Sequence, residues 1–322
     1  RGAVSGRLLV GALLAALVAA PWALGRDLLT VLLFTFLLVV LASNYDLLGG
    51  FLGLYNLGQA SFFGLGAYVT FLLLLRAPAL LALGWIGVAL AVAAGVVAAA
   101  ACAAVLAYPL LRLRGAYFAV GTFALLLLLR LLVDNLPGLT GGSHGLYVPV
   151  QVYLSLTSAY LLTLGLAAGS LVLNRAVAAS RLGMAMVAIR ENEAAAAAAG
   201  VDRFRTQQVA FVLGAVPTAA AGAIFGLHGG YIDVSVVLGV ERSLSPVIAA
   251  MIGGSGLAWG PVVGAVVLRT IDVALKNYVH LAVPAVAVYG VILMVMSLAM
   301  PQGILALPRA GARPARRLPV RA

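Results

Sequence analysis

Four arginines and three acids gather between Ser180 and Gln208, in "SRLGMAMVAIRENEAAAAAAGVDRFRTQQ", although only 9% of the chain is charged. Arginines and carboxylates at this spacing form ion pairs and select a partner by charge. The pattern supplies no nucleophile, general base or metal cage. Alanine, methionine, glutamate and arginine favour helix, and Ser180 is a helix-capping residue. At about 100° per residue, Leu182, Met186 and Ile189 share a stripe that Glu193, Ala196 and Ala197 continue. Gly200 stands where a C-terminal glycine ends a helix. Anionic lipid repels an acid in mid-stripe, so this stripe is expected to dock a protein partner, with Arg190 and Glu193 setting specificity; the alternative is a helix resting on headgroups.

Two other stretches mix polar side chains and glycine in apolar surroundings. "YNLGQASFFGLGAY" carries Asn56, Gly58, Gln59, Ser61, Gly64 and Gly66, and "MIGGSGLAWGP" carries Gly253, Gly254, Gly256 and Trp259. Broken backbone and polar groups survive at membrane depth only against protein or a wet path. These residues are therefore candidates to line a solute pathway, with close helix packing as the alternative. Enzymatic chemistry finds no support. His144 has no second ligand nearby, and the single Cys102 can form no internal disulfide. No G-x-x-x-x-G-K-[ST] occurs, so the chain is expected to bind no ATP, Mg or other cofactor itself. Asp233, Glu241 and Asp272 read as ordinary solvated charges, with contact to a binding protein as the alternative, and the spans hold almost no carboxylate.

The elements that position these residues follow from composition. The 322 residues are 64% hydrophobic, with a mean hydropathy of +1.14, far outside soluble domains. Apolar runs long enough to cross a bilayer recur throughout, without the alternation of a β-barrel. The chain is an all-α polytopic membrane protein with about 8–10 transmembrane helices, expected near 8–24, 28–43, 46–76, 84–110, 115–133, 154–174, 207–227, 244–275 and 282–300. The segments 46–76 and 244–275 are too long and glycine-rich for plain helices, and are expected to be broken or re-entrant. The basic, apolar N-terminus reads as a retained first span rather than a cleaved signal. Net charge is +11, but no basic stripe interleaves with aromatics, which argues against nucleic acid. With the N-terminus in the cytoplasm, 46–76 crossing once and 244–275 returning to its own face, fourteen of the twenty basic residues fall inside. The stretch 175–206 is then a cytoplasmic loop, and 309–322 a basic cytoplasmic tail at the lipid surface following a single membrane domain, 1–308.

"SRLGMAMVAIRENEAAAAAAGVDRFRTQQVAFVLGA" resembles the cytoplasmic loop of permeases in branched-chain amino acid ABC transporters, a variant of the loop that couples importer permeases to their ATPases. "YNLGQASFFGLGAY", "LRLRGAYFAVGTFA", "LTGGSHGL", "GYIDVSVVLGVERSLSPVIAAMIGGSGLAWGPVVGA" and "MPQGILA" agree with that family in order and spacing. The likeness spans roughly residues 40 to 308 and is of the LivM type rather than the LivH type. It implies ATPase-coupling roles for Arg181, Gly183, Ile189, Arg190, Glu191, Glu193, Ala196 and Gly200. It also implies a bacterial inner-membrane location and four kinds of neighbour: a second homologous permease, two cytoplasmic ATP-binding subunits, a periplasmic or lipid-anchored binding protein, and lipid. ATP and Mg would sit in the partner ATPases. Leucine, isoleucine and valine are the implied cargo; urea, short amides and other small polar solutes are the alternative, and an ion-driven secondary transporter the rival of another class. Three departures bear on the cargo: Leu127 where the family often has glutamate, Met300 before P-Q-G, and "SHG" where P-N-G is common.

The charge asymmetry predicts that cysteines replacing Ala178 and Ala310 are shielded from impermeant thiol reagents in intact cells, whereas one replacing Gly141 is labelled. Labelling of Ala178→Cys from outside would overturn the orientation.

Overall fold

Apolar runs in a bilayer must close their backbone hydrogen bonds within themselves, and helices are the result. A computed structural model describes residues 2–278, 290, 291, 294 and 303–305, with side chains from residue 11 to residue 274 and at the last six positions. In chain order the helices are α1 (Gly2–Ala23), α2 (Arg26–Gly49), α3 (Gln59–Arg76), α4 (Pro78–Ala82), α5 (Trp85–Leu110), α6 (Ala116–Asp134) and α7 (Pro137–Thr140). They continue as α8 (Leu156–Ala179), α9 (Arg181–Glu191), α10 (Glu193–Ala198), α11 (Arg203–Gly229), α12 (Val234–Val237), α13 (Val240–Gly253) and α14 (Gly260–Tyr278). A short antiparallel ribbon pairs β1 (Leu146–Tyr147) with β2 (Tyr231–Ile232), setting Leu146 opposite Ile232. Among the described residues, seven segments are long and apolar enough to cross a membrane: α2, α3, α5, α6, α8, α11 and Val234–Gly253, which joins α12 to α13. The fold is all-α and polytopic, as expected. Most of the expected span at 282–300, and all of the tail at 309–322, lie outside the described residues.

Within a bilayer, helices associate through close packing rather than by hiding from lipid. α11 runs against α3 and α5, and α2 lies against α8, α11, α13 and α14. The α3–α11 contact depends on glycine at two levels: a Cβ on Gly66 would strike the Ala219 backbone, and one on Gly222 would strike that of Phe63. Phe63 and Phe225 fill the space beside it with ring centroids 5.5 Å apart. The ends of the bundle differ. One carries the β1–β2 ribbon, and the other carries α9 and α10.

The first break falls within its expected segment, 46–76, while α2 outruns its expected end. The span expected at 28–43 continues as α2 through the polar run Ser43–Asp46 to Gly49, and irregular backbone follows until Gln59. Bonds from a distant helix and within α2 support the run, while the hydroxyls of Ser43 and Tyr45 make no hydrogen bond among the described residues. Asn174 Nδ2 donates to Ser43 O at 2.6 Å, and Asn44 Nδ2 donates to Val40 O at 2.7 Å. The chain then climbs back along α2, so that Gln59 Nε2 donates to Leu41 O at 2.7 Å. Leu41 stands about 12 Å along α2 from Gly49, so this irregular backbone lies well inside the bundle. The second break falls where it was expected: α13 and α14 form a hairpin that turns at residues 254–259.

Candidate functional site

The Ser180–Gln208 stretch begins as its residue types dictate. Ser180 Oγ accepts from Gly183 N at 3.4 Å, capping α9. A side chain on Gly183 would strike the end of α8 at Val177, so this glycine lets α9 fold back against α8. The expected single helix is instead two. Asn192 is extended and its Oδ1 accepts from Ala195 N at 3.0 Å, starting α10. Asparagine competes with helical hydrogen bonds and is better used as a cap. Gly200, with φ +83°, ends α10 as expected: Val201 N donates to Ala196 O and Gly200 N to Ala197 O, each at 3.0 Å.

The apolar stripe does not face a partner. Met186, Ile189 and Ala196 are buried in one cluster with Leu48, Leu54, Leu111 and Phe211 of this chain. Glu193, the acid in mid-stripe, meets Arg203 Nη1 at 2.9 Å and Arg114 Nη2 at 3.5 Å. Both arginines belong to the same chain, which explains an acid at that position. Exposed pairs of this kind contribute at most about 1 kcal/mol each, so they orient α10 more than they stabilise it. The surface left open on α9 carries Arg181, Met184, Val187 and Glu191.

Arg190 reaches inward. Its Nη1 donates to Gly50 O at 2.6 Å, and its Nη2 meets Glu191 Oε1 at 2.9 Å. Beside it, Gly256 N donates to both carboxylate oxygens of Asp46, at 2.9 and 3.1 Å. Gly256 has φ +78°, a conformation that leaves its N–H aimed at Asp46. Trp259, on the same turn, lies under the Arg175 guanidinium at 4.7 Å. The tip of the α13–α14 hairpin is thus fastened to the end of α2 and to α8, one side chain away from α9. Asp46 was absent from the sequence reading, which expected almost no carboxylate within the spans. It is 2% exposed inside α2. The only signal was a lone acid three residues ahead of a glycine pair.

The polar residues of the first break serve its backbone. Asn56 Oδ1 accepts from Gly58 N at 2.9 Å, Thr122 Oγ1 from Leu57 N at 3.0 Å, and Ser243 Oγ from Ala60 N at 3.1 Å. Gln59 bridges α2 to Thr218 of α11, at 3.3 Å from the Thr218 hydroxyl. Ser61 is wholly buried, and its hydroxyl makes no hydrogen bond among the described residues. Glycines admit the neighbours: Gly58 lies on Thr122 and Gly64 on Leu238, while Gly253 and Gly254 pack on Gly260. The structure brings Asn56, Gly58, Gln59, Ser61, Gly64 and Gly66 together around α3, and sets Gly253, Gly254, Gly256 and Trp259 apart at the hairpin tip.

An all-helical bundle with two internally satisfied breaks and a charged helical loop fastened to one of them is the architecture of a multi-pass membrane transport subunit. Residues 27–300 match the family described as branched-chain amino acid transport system, permease component, and the chain belongs to that family. It is 27% identical over 336 aligned positions to the high-affinity branched-chain amino acid transport system permease protein LivM of Salmonella typhimurium, covering 95% of this chain and 76% of that one. The Escherichia coli LivM protein is 26% identical with the same coverage. The LivH permease of E. coli is 26% identical over 288 positions, covering 84% of this chain and 91% of its own. No solved structure matches the chain.

Removing the Asp46 acceptor leaves a part-buried N–H unpaired, at a cost of up to about 1–3 kcal/mol. Asp46→Ala is therefore expected to lower the unfolding temperature in detergent, and Asp46→Asn, which keeps an acceptor oxygen, to lower it less. Identical temperatures for both variants and the unaltered chain would show that the Gly256 contact contributes nothing.

Proposed function

We propose that this chain is one permease subunit of an ATP-driven importer for leucine, isoleucine and valine. It works beside a second homologous permease, two cytoplasmic ATPases that hold ATP and Mg, and a periplasmic or lipid-anchored binding protein that delivers the cargo. Membership of the permease family and the transport activities for which the LivM and LivH relatives are named support the cargo and the class. In this reading α9 and α10 lie in the cytoplasm with both termini, in an inner membrane, and the 175–206 loop receives the ATPases.

The single observation that carries the mechanism is the Arg190–Gly50 bond beside the Asp46–Gly256 contact. Closure of the ATPases on ATP pushes α9. The helix cannot slide freely, because its buried face is wedged in the α2, α5 and α11 cluster and Arg190 grips the end of α2. The push therefore passes to α2 and to the hairpin tip as a rigid-body displacement. Both breaks touch these elements, which is how a cytoplasmic event reaches the interior of the bundle. Gln59, Asn56 and the glycines around them line or shape the route in this account, and the side chains that satisfy the breaks hold it in register.

The docking surface is the open side of α9. Met184 is 63% exposed and Val187 is 37% exposed, one turn apart, and two apolar side chains standing clear of the body fit an apolar pocket on an ATPase. Met184→Glu and Val187→Glu are expected to leave membrane levels and permease pairing intact, and to lose ATPase co-purification and uptake. The scale is an interface hot spot, about 2 kcal/mol or roughly thirtyfold in affinity. Full retention of the ATPases by both variants would mean that this face rests on lipid.

A further inference from the structure

A groove of about 190 Å³ runs between α1, α2, α8 and the α13–α14 hairpin. Along α8 it follows one helical stripe, Leu164, Ala168, Leu171 and Arg175, spaced three or four residues apart. Phe36 lines it from α2, and Leu14 from α1. Apart from Arg175, the side chains around it are aliphatic or aromatic. Such a wall offers a polar solute nothing, and an alkyl chain fits it.

The groove ends in a cation. Arg175 is exposed in the last turns of α8, and its guanidinium lies 4.7 Å from the Trp259 ring centre. All nine acidic side chains of the chain are among the described residues, and none of them pairs with Arg175. Asp46 and Arg175 both line a small cavity at the hairpin tip, but the carboxylate is bonded to Gly256 N instead. Arg175 makes no hydrogen bond among the described residues, so its five N–H donors are open. Trp259 is 39% exposed, and its indole N–H has no partner among the described residues either. Arginine and tryptophan at the rim of an apolar surface are the side chains that sit at headgroup level in a bilayer.

The dimensions agree with that placement. From Leu164 to Arg175, α8 rises about 16 Å. Half of a bilayer's hydrocarbon core is about 15 Å. The groove therefore has the depth of one leaflet, measured inward from the guanidinium. Just beyond Leu164, the Tyr160 hydroxyl donates to Leu17 O at 2.8 Å and fastens α1 to α8.

We infer that this groove holds an anionic phospholipid from the leaflet on the α9 side. Its phosphate sits on Arg175 and the Trp259 N–H, and one acyl chain lies along Leu171, Ala168 and Leu164. A net negative headgroup is preferred because the mouth carries a positive charge that no side chain of this protein balances. The lipid touches α1, α8 and the hairpin tip together. It braces the tip from the membrane side, while Asp46 holds it from within.

The test uses the whole chain in phosphatidylcholine vesicles, with Trp22→Phe and Trp85→Phe so that Trp259 is its sole tryptophan. Bromine on an acyl chain quenches tryptophan fluorescence at close range, so increasing fractions of brominated phosphatidylglycerol or brominated phosphatidylcholine report occupancy of the groove. Phosphatidylglycerol is expected to reach half-maximal quenching at a mole fraction about fivefold lower, the effect of one arginine on an anionic lipid. Arg175→Gln is expected to remove that difference while quenching persists, and Arg175→Lys to restore part of it. Ala168→Phe, which fills the groove and keeps the cation, is expected to remove it as well. Arg26→Gln, at the opposite end of α2 from the hairpin tip, is expected to leave it intact. Equal quenching by the two lipids before any of these changes means ordinary boundary lipid and overturns the site. Quenching by neither lipid means that protein covers the groove, and overturns it too. A preference that survives both Arg175→Gln and Ala168→Phe places the lipid elsewhere and overturns the assignment.

Discussion

Every backbone N–H and C=O at membrane depth must find a partner inside the protein, and the structure is organised around the two places where helices stop doing so. At residues 50–58 and 254–259 the ladder is interrupted, and side chains from elsewhere in the chain fill the gap. Thr122, Asn56 and Ser243 serve the first break, and Asp46 serves the second. These partners come from α2, α6, α13 and the break itself, so each interruption binds several helices into one unit. A break supported in this way holds one geometry, and displacing any of the supporting helices displaces the break.

The same economy explains the charged loop. Its apolar face is spent on the body of the permease, where Met186 and Ile189 are buried against α2 and α11 residues. Its arginines and acids divide between internal and external work. Glu193 is occupied by Arg203 and Arg114, and Arg190 by Gly50, whereas Arg181 and Glu191 border the open face. One face of α9 is thus wedged in the body and the other is open.

Much of this was legible in the sequence. Hydropathy and the absence of alternation gave the all-α class, and glycine-rich polar stretches marked both breaks, because irregular backbone in a bilayer needs those residue types. Ser180 and Gly200 were correctly placed as the limits of the loop helices, since capping depends on local backbone geometry. What escaped depends on partners far away in the chain. Ser43–Asp46 looked like the end of a span because its satisfiers, Asn174 and Gly256, are 131 and 210 residues distant. The stripe on α9 was visible, but periodicity cannot say whether an apolar face meets a partner or its own chain. Asn192 breaks the loop helix because its side chain competes for the Ala195 N–H, a choice that helix propensity left open.

The central claim is that α9 and the hairpin tip move as one body. A pair of spin labels, replacing Glu191 on α9 and Ser255 at the tip in a Cys102→Ala background, reports it directly through their distance in the assembled transporter. The account predicts one narrow distance distribution that is the same in nucleotide-free, ATP-bound and post-hydrolysis states while uptake continues. A distance that shifts or broadens with nucleotide would show α9 moving past the tip, and the coupling route through Arg190, Gly50, Asp46 and Gly256 would be wrong.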